Sequence, residues 1–313
     1  MTPEVFAQAI ASIAQNYGLR LDARSVWLRM DEFKKVEELK GGKCNEATGW
    51  YGLKGACKRG KKGEGDARNK ESKVDIANRI RKRKMSRTAN SNITDPGIAQ
   101  YKVVRELGKG DFGAAVLTDR GTVIKIANGS RPRKPEEAKA EFEALKQFSK
   151  LGIGPKAIGI DGTTIEMGLI TGQTIRTLKD SGISNGQHQK NQMMAAQSLL
   201  KLHRSGWSHN DSHLHNLVID DKGQAKLLDA GAASKVGGMT WDGTGYHDIK
   251  SALRGHPSLA LLSKAMEPHE LAYRMAHTQA FQKGDKSRID TDLSQARINL
   301  HNEYLKLSPQ FIK

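Results

Sequence analysis

The chain has 313 residues, enough for one sizeable domain with an appendage or for two small ones. Its formal charge is +17 and its hydrophobic content 37%, low enough to expect that part of the chain is loosely ordered. Two cysteines, Cys44 and Cys57, exclude a disulfide framework; no apolar run reaches the length of a membrane span, and Met1-Thr-Pro-Glu4 lacks the features of a secretory signal.

In chain order, Phe6, Ile10, Ile13 and Tyr17 fall at helical spacing and predict a short amphipathic helix over residues 3–20. Residues 22–40, with Val26, Trp27, Leu28, Phe33 and Val36 among charges, predict a second helix. Glycines, lysines and small polar residues make 41–65 a loop, 66–87 read as a basic helix, and 88–97 as a linker closing on Asp95-Pro-Gly97. Between Lys54 and Arg87 there are 14 Lys or Arg against 4 acids, a surplus suited to an anionic partner: nucleic acid, an acidic protein face or an anionic membrane surface. A solvated linker kept extended by its charge fits the same composition. Cys44 and Cys57 sit in basic surroundings that favour the thiolate. Structural zinc is disfavoured, because all histidines lie at or beyond residue 188.

After residue 97 the pattern changes to period two. Strands are expected at 101–107, 114–118 and 122–127, with a glycine turn between the first two. A helix follows over 135–150, then strands at 157–160 and 164–170. Helices are expected at 187–205, 246–265, 267–283 and 290–307, and a strand–turn–strand at 217–228. The fold class is therefore α+β.

Four groups along this domain carry chemistry. Gly108-Lys-Gly110-Asp-Phe112-Gly113, followed by Val116, lets backbone N–H groups approach phosphates without an obstructing Cβ. Strand rather than helix follows it, which argues against a dinucleotide fold. Lys125, among Val123, Ile124 and Ile126, needs a carboxylate partner if buried, and Glu141 or Glu143 on the next helix can supply it. In His209-Asn-Asp211-Ser-His213-Leu-His215-Asn216, Asp211 can orient or accept a hydroxyl proton and Asn216 can ligate Mg²⁺. The three histidines also admit a zinc reading, against which the loop-like Asn210-Asp211-Ser212 argues. Finally Asp229, in Leu227-Leu-Asp229-Ala-Gly231, ends a strand that returns beside Asn216; two hard oxygens near a phosphate chain suit Mg²⁺.

Together these residues, over about 101–250, resemble the protein-kinase superfamily: glycine loop, strand lysine, helix glutamate, H-x-D-x-x-x-x-N loop and D-x-G loop. The resemblance implies a two-lobed fold, with an antiparallel sheet plus one helix in the N-lobe (about 98–170) and a helical C-lobe (about 171–313), preceded by a basic, partly helical region at 1–97. It implies ATP and Mg²⁺, with Gly108, Gly110, Phe112, Gly113 and Val116 covering the nucleotide. Lys125 would pair with Glu141 and meet the phosphates, Asp211 would be catalytic, and Asn216 and Asp229 would hold metal. Glu166 through Leu169, Gly168 included, would form the adenine hinge.

Several positions depart from the usual pattern. Asn210 replaces the arginine of H-R-D, Ala230 replaces the phenylalanine of D-F-G, and no A-P-E is present. Asp248 follows Asp229 by only 19 positions and is a candidate brace for the catalytic loop. So short a segment resembles RIO-type kinases and the kinase effectors that some bacterial pathogens deliver into host cells. His213, two residues after Asp211, is similar to the aminoglycoside and choline phosphotransferases. The resemblance thus implies an atypical Ser/Thr protein kinase acting on a protein substrate, with a small-molecule kinase or a kinase-fold scaffold as alternatives. It would sit in the cytoplasm of the producing cell or be delivered into a host cell.

Overall fold

The computed structural model describes residues 3–17, 19, 22, 26, 101–110, 113–127, 133–237, 244–282 and 286–313. The elements expected at 22–40 (Asp22 and Val26 aside), 41–65, 66–87 and 88–97 lie outside the described residues, as do Asp111, Phe112, Cys44 and Cys57. The chain divides into a compact unit of residues 1–32 with 100–313, and a second of 33–99.

In the first unit, helix α1 (Pro3–Gln15) buries Ile10 and Ala14, and Tyr17 is buried just beyond it. A five-stranded antiparallel sheet follows, built from β1 (Val103–Gly110), β2 (Gly113–Thr118), β3 (Thr122–Ala127), β4 (Ala157–Asp161) and β5 (Thr164–Gly168) in the order β1-β2-β3-β5-β4. Strand β1 is longer than period two suggests: it pairs Gly108 with Ala115 and Gly110 with Gly113, so all three of the expected turn glycines lie in the ladder. The β2–β3 turn needs Gly121, at φ 73°, as only a residue without a Cβ enters that region at no cost.

Helix α2 (Pro135–Lys150) crosses from β3 to β4. Its proline stands where the missing N–H is not needed, Glu136 and Glu137 face the positive helix end, and Lys150 faces the negative one. Ala138, Glu141, Ala144, Leu145 and Phe148 form its buried face.

A second, three-stranded antiparallel sheet has the order β6-β8-β9, from β6 (Gly172–Thr174), β8 (Leu217–Asp220) and β9 (Ala225–Leu227). Helix α3 (Ile175–Asp180) is capped by the Thr174 hydroxyl, which accepts from the Thr177 N–H at 3.0 Å. Helix α4 (Asn185–Arg204) buries Ala195, Ala196, Leu199 and Leu202. The short β7 (Trp207–Ser208) pairs with β10 (Ser234–Lys235). Helices α5 (Gly245–Ala252), α6 (Pro257–Gln282) and α7 (Lys286–Leu307) complete the unit, with α1 packed on α6. The Asn299 amide of α7 donates to the Asn16 carbonyl at the end of α1.

The helical region departs from expectation in two places: α3 forms where no helix is expected, and the break between the later helices moves. A break near residue 266 is predicted, ahead of Pro268; the chain instead breaks at Leu253–His256 and runs helically through Pro268. Gly255, at φ 83°, permits the left-handed turn there. The interior proline costs about 3 kcal/mol, but Leu262, Met266, Ala272 and Met275 are wholly buried on either side of it and keep the helix seated. Among the described residues no helix is long and apolar enough to cross a membrane. The architecture is α+β, with helices and antiparallel sheets.

A polar layer lies inside the helical region. His203, Asp248, His301 and Tyr304 are each at most 3% exposed. His301 accepts from the Gly245 N–H through Nδ1 (3.1 Å) and donates through Nε2 to the His203 carbonyl (3.1 Å), which fixes it as a neutral tautomer. Burial pushes its pKa down from 6.5 to about 4. An unfolded chain then binds a proton that the folded one refuses. The stabilisation is complete above pH 6.5 and is lost as pH falls towards 4, by about 3 kcal/mol in all. His188, His256 and His269 are lowered in the same sense. Denaturation midpoints measured from pH 7 to pH 4 should therefore fall, and should fall less steeply in His301→Gln; equal slopes would refute the assignment.

Candidate active site

The β2–β3–β5 registers sort the expected residues by face. Lys125 stands opposite Ala115 and Ile165, while Ile124 stands opposite Val116 and Glu166. Directly paired residues share a face and neighbours alternate, so Val116 and Glu166 lie on the side away from Lys125. Val116 is 2% exposed and belongs to the core; Ala115 is the β2 residue on the lysine's side. The Glu166 carboxylate accepts from the Tyr101 hydroxyl at 2.8 Å and the Thr122 hydroxyl at 2.7 Å. Gly168 donates its N–H to the Lys156 carbonyl at 2.8 Å. Of the expected nucleotide-cover residues, Gly108, Gly110 and Gly113 sit on the β1–β2 hairpin, and a Cβ at Gly108 would meet open space.

Lys125 is largely buried and holds two carboxylates, Glu141 Oε1 at 2.9 Å and Asp229 Oδ1 at 2.6 Å. Burial alone would lower its pKa, but Glu141 and Asp229 together raise it above the ordinary value. Asp229 is the mirror case: burial would raise its carboxyl, and Lys125 overrides that and holds it low. Of the two glutamates offered by the sequence, Glu143 is exposed and pairs with Lys146, leaving Glu141 as the partner.

The other oxygen of Glu141 is bound by Arg133, a buried guanidinium that the sequence reading did not single out. Charges alternate along Arg133, Glu141, Lys125 and Asp229. Gly231 completes the cluster, since a Cβ there would come within 3.1 Å of both Asp229 Oδ1 and Glu141 Oε2. Asp229 itself adopts φ 55°, a left-handed backbone that costs a non-glycine residue on the order of 1–3 kcal/mol, offset in part by the Gly231 N–H donating to its Oδ1 at 3.2 Å.

The 209–216 loop is tied to the same place by its backbone. Leu228 N–H donates to the Asn216 carbonyl at 2.8 Å, continuing the β8–β9 ladder and setting Asn216 opposite Leu228, the residue before Asp229. His209 is fully buried against Phe148 of α2, ring centroids 5.4 Å apart. Its Nε2 donates to the Leu228 carbonyl at 2.8 Å, and its Nδ1 accepts from the Asp211 N–H at 3.3 Å. One histidine thus joins α2, the strand before Asp229 and the loop of Asp211.

Asp211 remains half exposed, open to an incoming group, with His213 Nε2 3.4 Å from its Oδ1. Asn216 donates Nδ2 to the carbonyl and to Oδ2 of Asp211, both at 2.9 Å, so its amide oxygen is the atom left to face a cation. Among the described residues no three His, Cys, Asp or Glu side chains form a metal cluster. A divalent ion here would have to draw its remaining ligands from water and a bound phosphate. Mg²⁺ accepts that set and Zn²⁺ does not, so Asn216 and Asp229 fit the former.

Asn210 donates to the Ala232 carbonyl at 2.9 Å and to the Ser234 hydroxyl at 3.0 Å, tying the loop to the segment after Asp229. Asp248 is buried at the start of α5 and accepts from the His209 and Asn210 N–H groups at 2.7 and 2.8 Å. No protein-family model matches the chain, and no curated protein aligns with it.

Proposed function

We propose that the chain is an ATP-dependent phosphotransferase of two-lobed, protein-kinase-like architecture. In this reading the five-stranded sheet with α2 is the smaller lobe and the helices after residue 171 the larger. The observation that carries it is Lys125 held between Glu141 and Asp229, beside a loop that presents a half-exposed Asp211 and an Asn216 amide oxygen. A buried cation that shares its charge between two carboxylates is poised to exchange one of them for phosphate oxygens, while Arg133 keeps Glu141 in place.

The reacting groups then have defined work. Lys125 orients the phosphate chain beneath the Gly108–Gly113 hairpin. Asp211 receives the proton of the acceptor hydroxyl as its oxygen bonds to the γ-phosphorus and the bond to the ADP oxygen breaks. Mg²⁺, held by Asn216 and Asp229, would supply charge neutralisation on the phosphates. Rate enhancement comes from positioning and electrostatics.

A Ser/Thr-type protein substrate is the preferred acceptor, with the basic stretch 54–87 recruiting an acidic partner or nucleic acid. The second reading, a small-molecule phosphotransferase, is favoured by His213 beside Asp211. Radiolabelled ATP distinguishes them. Label should enter protein with the wild type and be lost, by about a thousandfold in rate, with Asp211→Asn. Hydrolysis or metabolite labelling without labelled protein would select the second reading, and equal labelling by the mutant would overturn both.

A further inference from the structure

We propose that Tyr304 is a positioning residue for the Asp211 loop, acting through a buried chain of hydrogen bonds that runs Tyr304–His203–Asp248. The proposal rests on the reading of that loop given above.

The donors and acceptors along this chain are fixed by chemistry. Asp248 carries four bonds to neighbours on its two oxygens. Oδ2 accepts from the His209 N–H at 2.7 Å and from His203 Nε2 at 3.0 Å. Oδ1 accepts from the Asn210 N–H at 2.8 Å and from the Ser212 hydroxyl at 3.1 Å. Burial opposes its charge, yet these donors, His203 first among them, hold its carboxyl below the ordinary range. An ionised carboxylate can only accept, so His203 must carry its proton on Nε2. Nδ1 lies 3.1 Å from the Tyr304 hydroxyl, and in the proposed chain it is the lone pair that accepts the hydroxyl proton. Asp248 thus takes donors from both sides, His203 on α4 and the loop N–H groups, with Tyr304 of α7 behind His203.

Helix α7 holds His203 at two points. Tyr304 holds the ring, and His301, one turn earlier on the same helix, donates to its backbone carbonyl at 3.1 Å. The ring also has no room to slide: a Cβ on Gly245 would sit 2.4 Å from its Cγ. Such a box is more than packing needs, because a leucine would fill the same space without a polar chain.

The purpose lies at the far end. Asn210 has φ 63°, a left-handed backbone that few residues besides glycine and asparagine enter, and it immediately precedes Asp211. Asp248 Oδ1 holds its N–H. A shift of Asp248 would release Asn210 and turn Asp211 away from its acceptor, and displacements of about 1 Å at a reacting group cost on the order of a hundredfold in rate.

The test is Tyr304→Phe in the full chain, which removes one oxygen and keeps the ring. Amide hydrogen exchange at His209 and Asn210 should accelerate at least about tenfold, and kcat should fall about tenfold with KM for ATP unchanged within about twofold. Unchanged exchange at those two amides, or exchange raised uniformly through α4 and α7 with kcat intact, would reduce Tyr304 to packing and overturn the proposal. On the wild type, imidazole nitrogen NMR should find His203 protonated at Nε2 alone from pH 6 to 8; the Nδ1–H tautomer or an imidazolium would also overturn it. Exchange and tautomer are read without turnover, so a chain that proved inactive towards ATP would refute the phosphotransfer reading and leave these two measurements to decide the chain of bonds.

Discussion

Asp229→Ala is expected to lower ATP turnover by about a thousandfold or more while shifting the melting temperature by only a few degrees. The two effects separate because the side chain does different things in each. Its carboxylate is 43% exposed, and Lys125 keeps Glu141 when it is gone, so little folding energy depends on it. Alanine does inherit a backbone at φ 55°, which accounts for a modest loss of stability. Turnover, by contrast, loses the carboxylate that the proposed reading gives to the metal together with Asn216. Asp229→Asn sharpens the comparison, because asparagine tolerates the left-handed backbone and keeps the turn while losing the charge. Steady-state turnover and thermal melts on the two variants settle it; normal turnover in either would remove Asp229 from the site.

Glu141→Ala should do the reverse and strike stability first. Glu141 is 6% exposed and its two oxygens hold two cations, Lys125 and Arg133. Removing it strands a guanidinium that is itself only 7% exposed. Breaking a buried pair from one side costs about 3–5 kcal/mol, or roughly 6–20 °C in melting temperature for a unit of this size. Lys125→Met should cost less, because Glu141 retains Arg133 and Asp229 is partly solvated. Chemical denaturation of the pair checks the order: a larger loss in Lys125→Met than in Glu141→Ala would mean that Arg133 does not anchor the glutamate.

The contrast between these residues shows what can be read from a sequence. Helix α2 and strand β3 run over the spans that periodicity predicts, because a single buried face sets each. Lys125 stood out because a charge inside an apolar strand demands a partner, and Glu141 and Glu143 because the following helix offers them to it. Arg133 gave no such signal: it lies in a run of basic residues, Arg131-Pro-Arg133-Lys134, that looks like any solvated loop. Val116 was placed with the nucleotide cover by counting from the glycines, but a strand's alternation sends it to the other face, and one position decides which. A helix break is expected near residue 266, and burial on both sides of it keeps one helix running through Pro268. His203 and Tyr304 fell at apolar positions of helices, where a sequence offers no means of telling a filler from a hydrogen-bonded pair set 101 residues apart.

The seat of α1 on α6 changes what the basic segment is in topological terms. Residues 1–32 and 100–313 belong to one compact unit, so 33–99 leaves that unit and returns to it. It is an excursion closed at both ends rather than a leader hung from one. A chain cut back to residue 100 would therefore lose α1, with its buried Ile10 and Ala14, from the unit that holds Lys125 and Asp211.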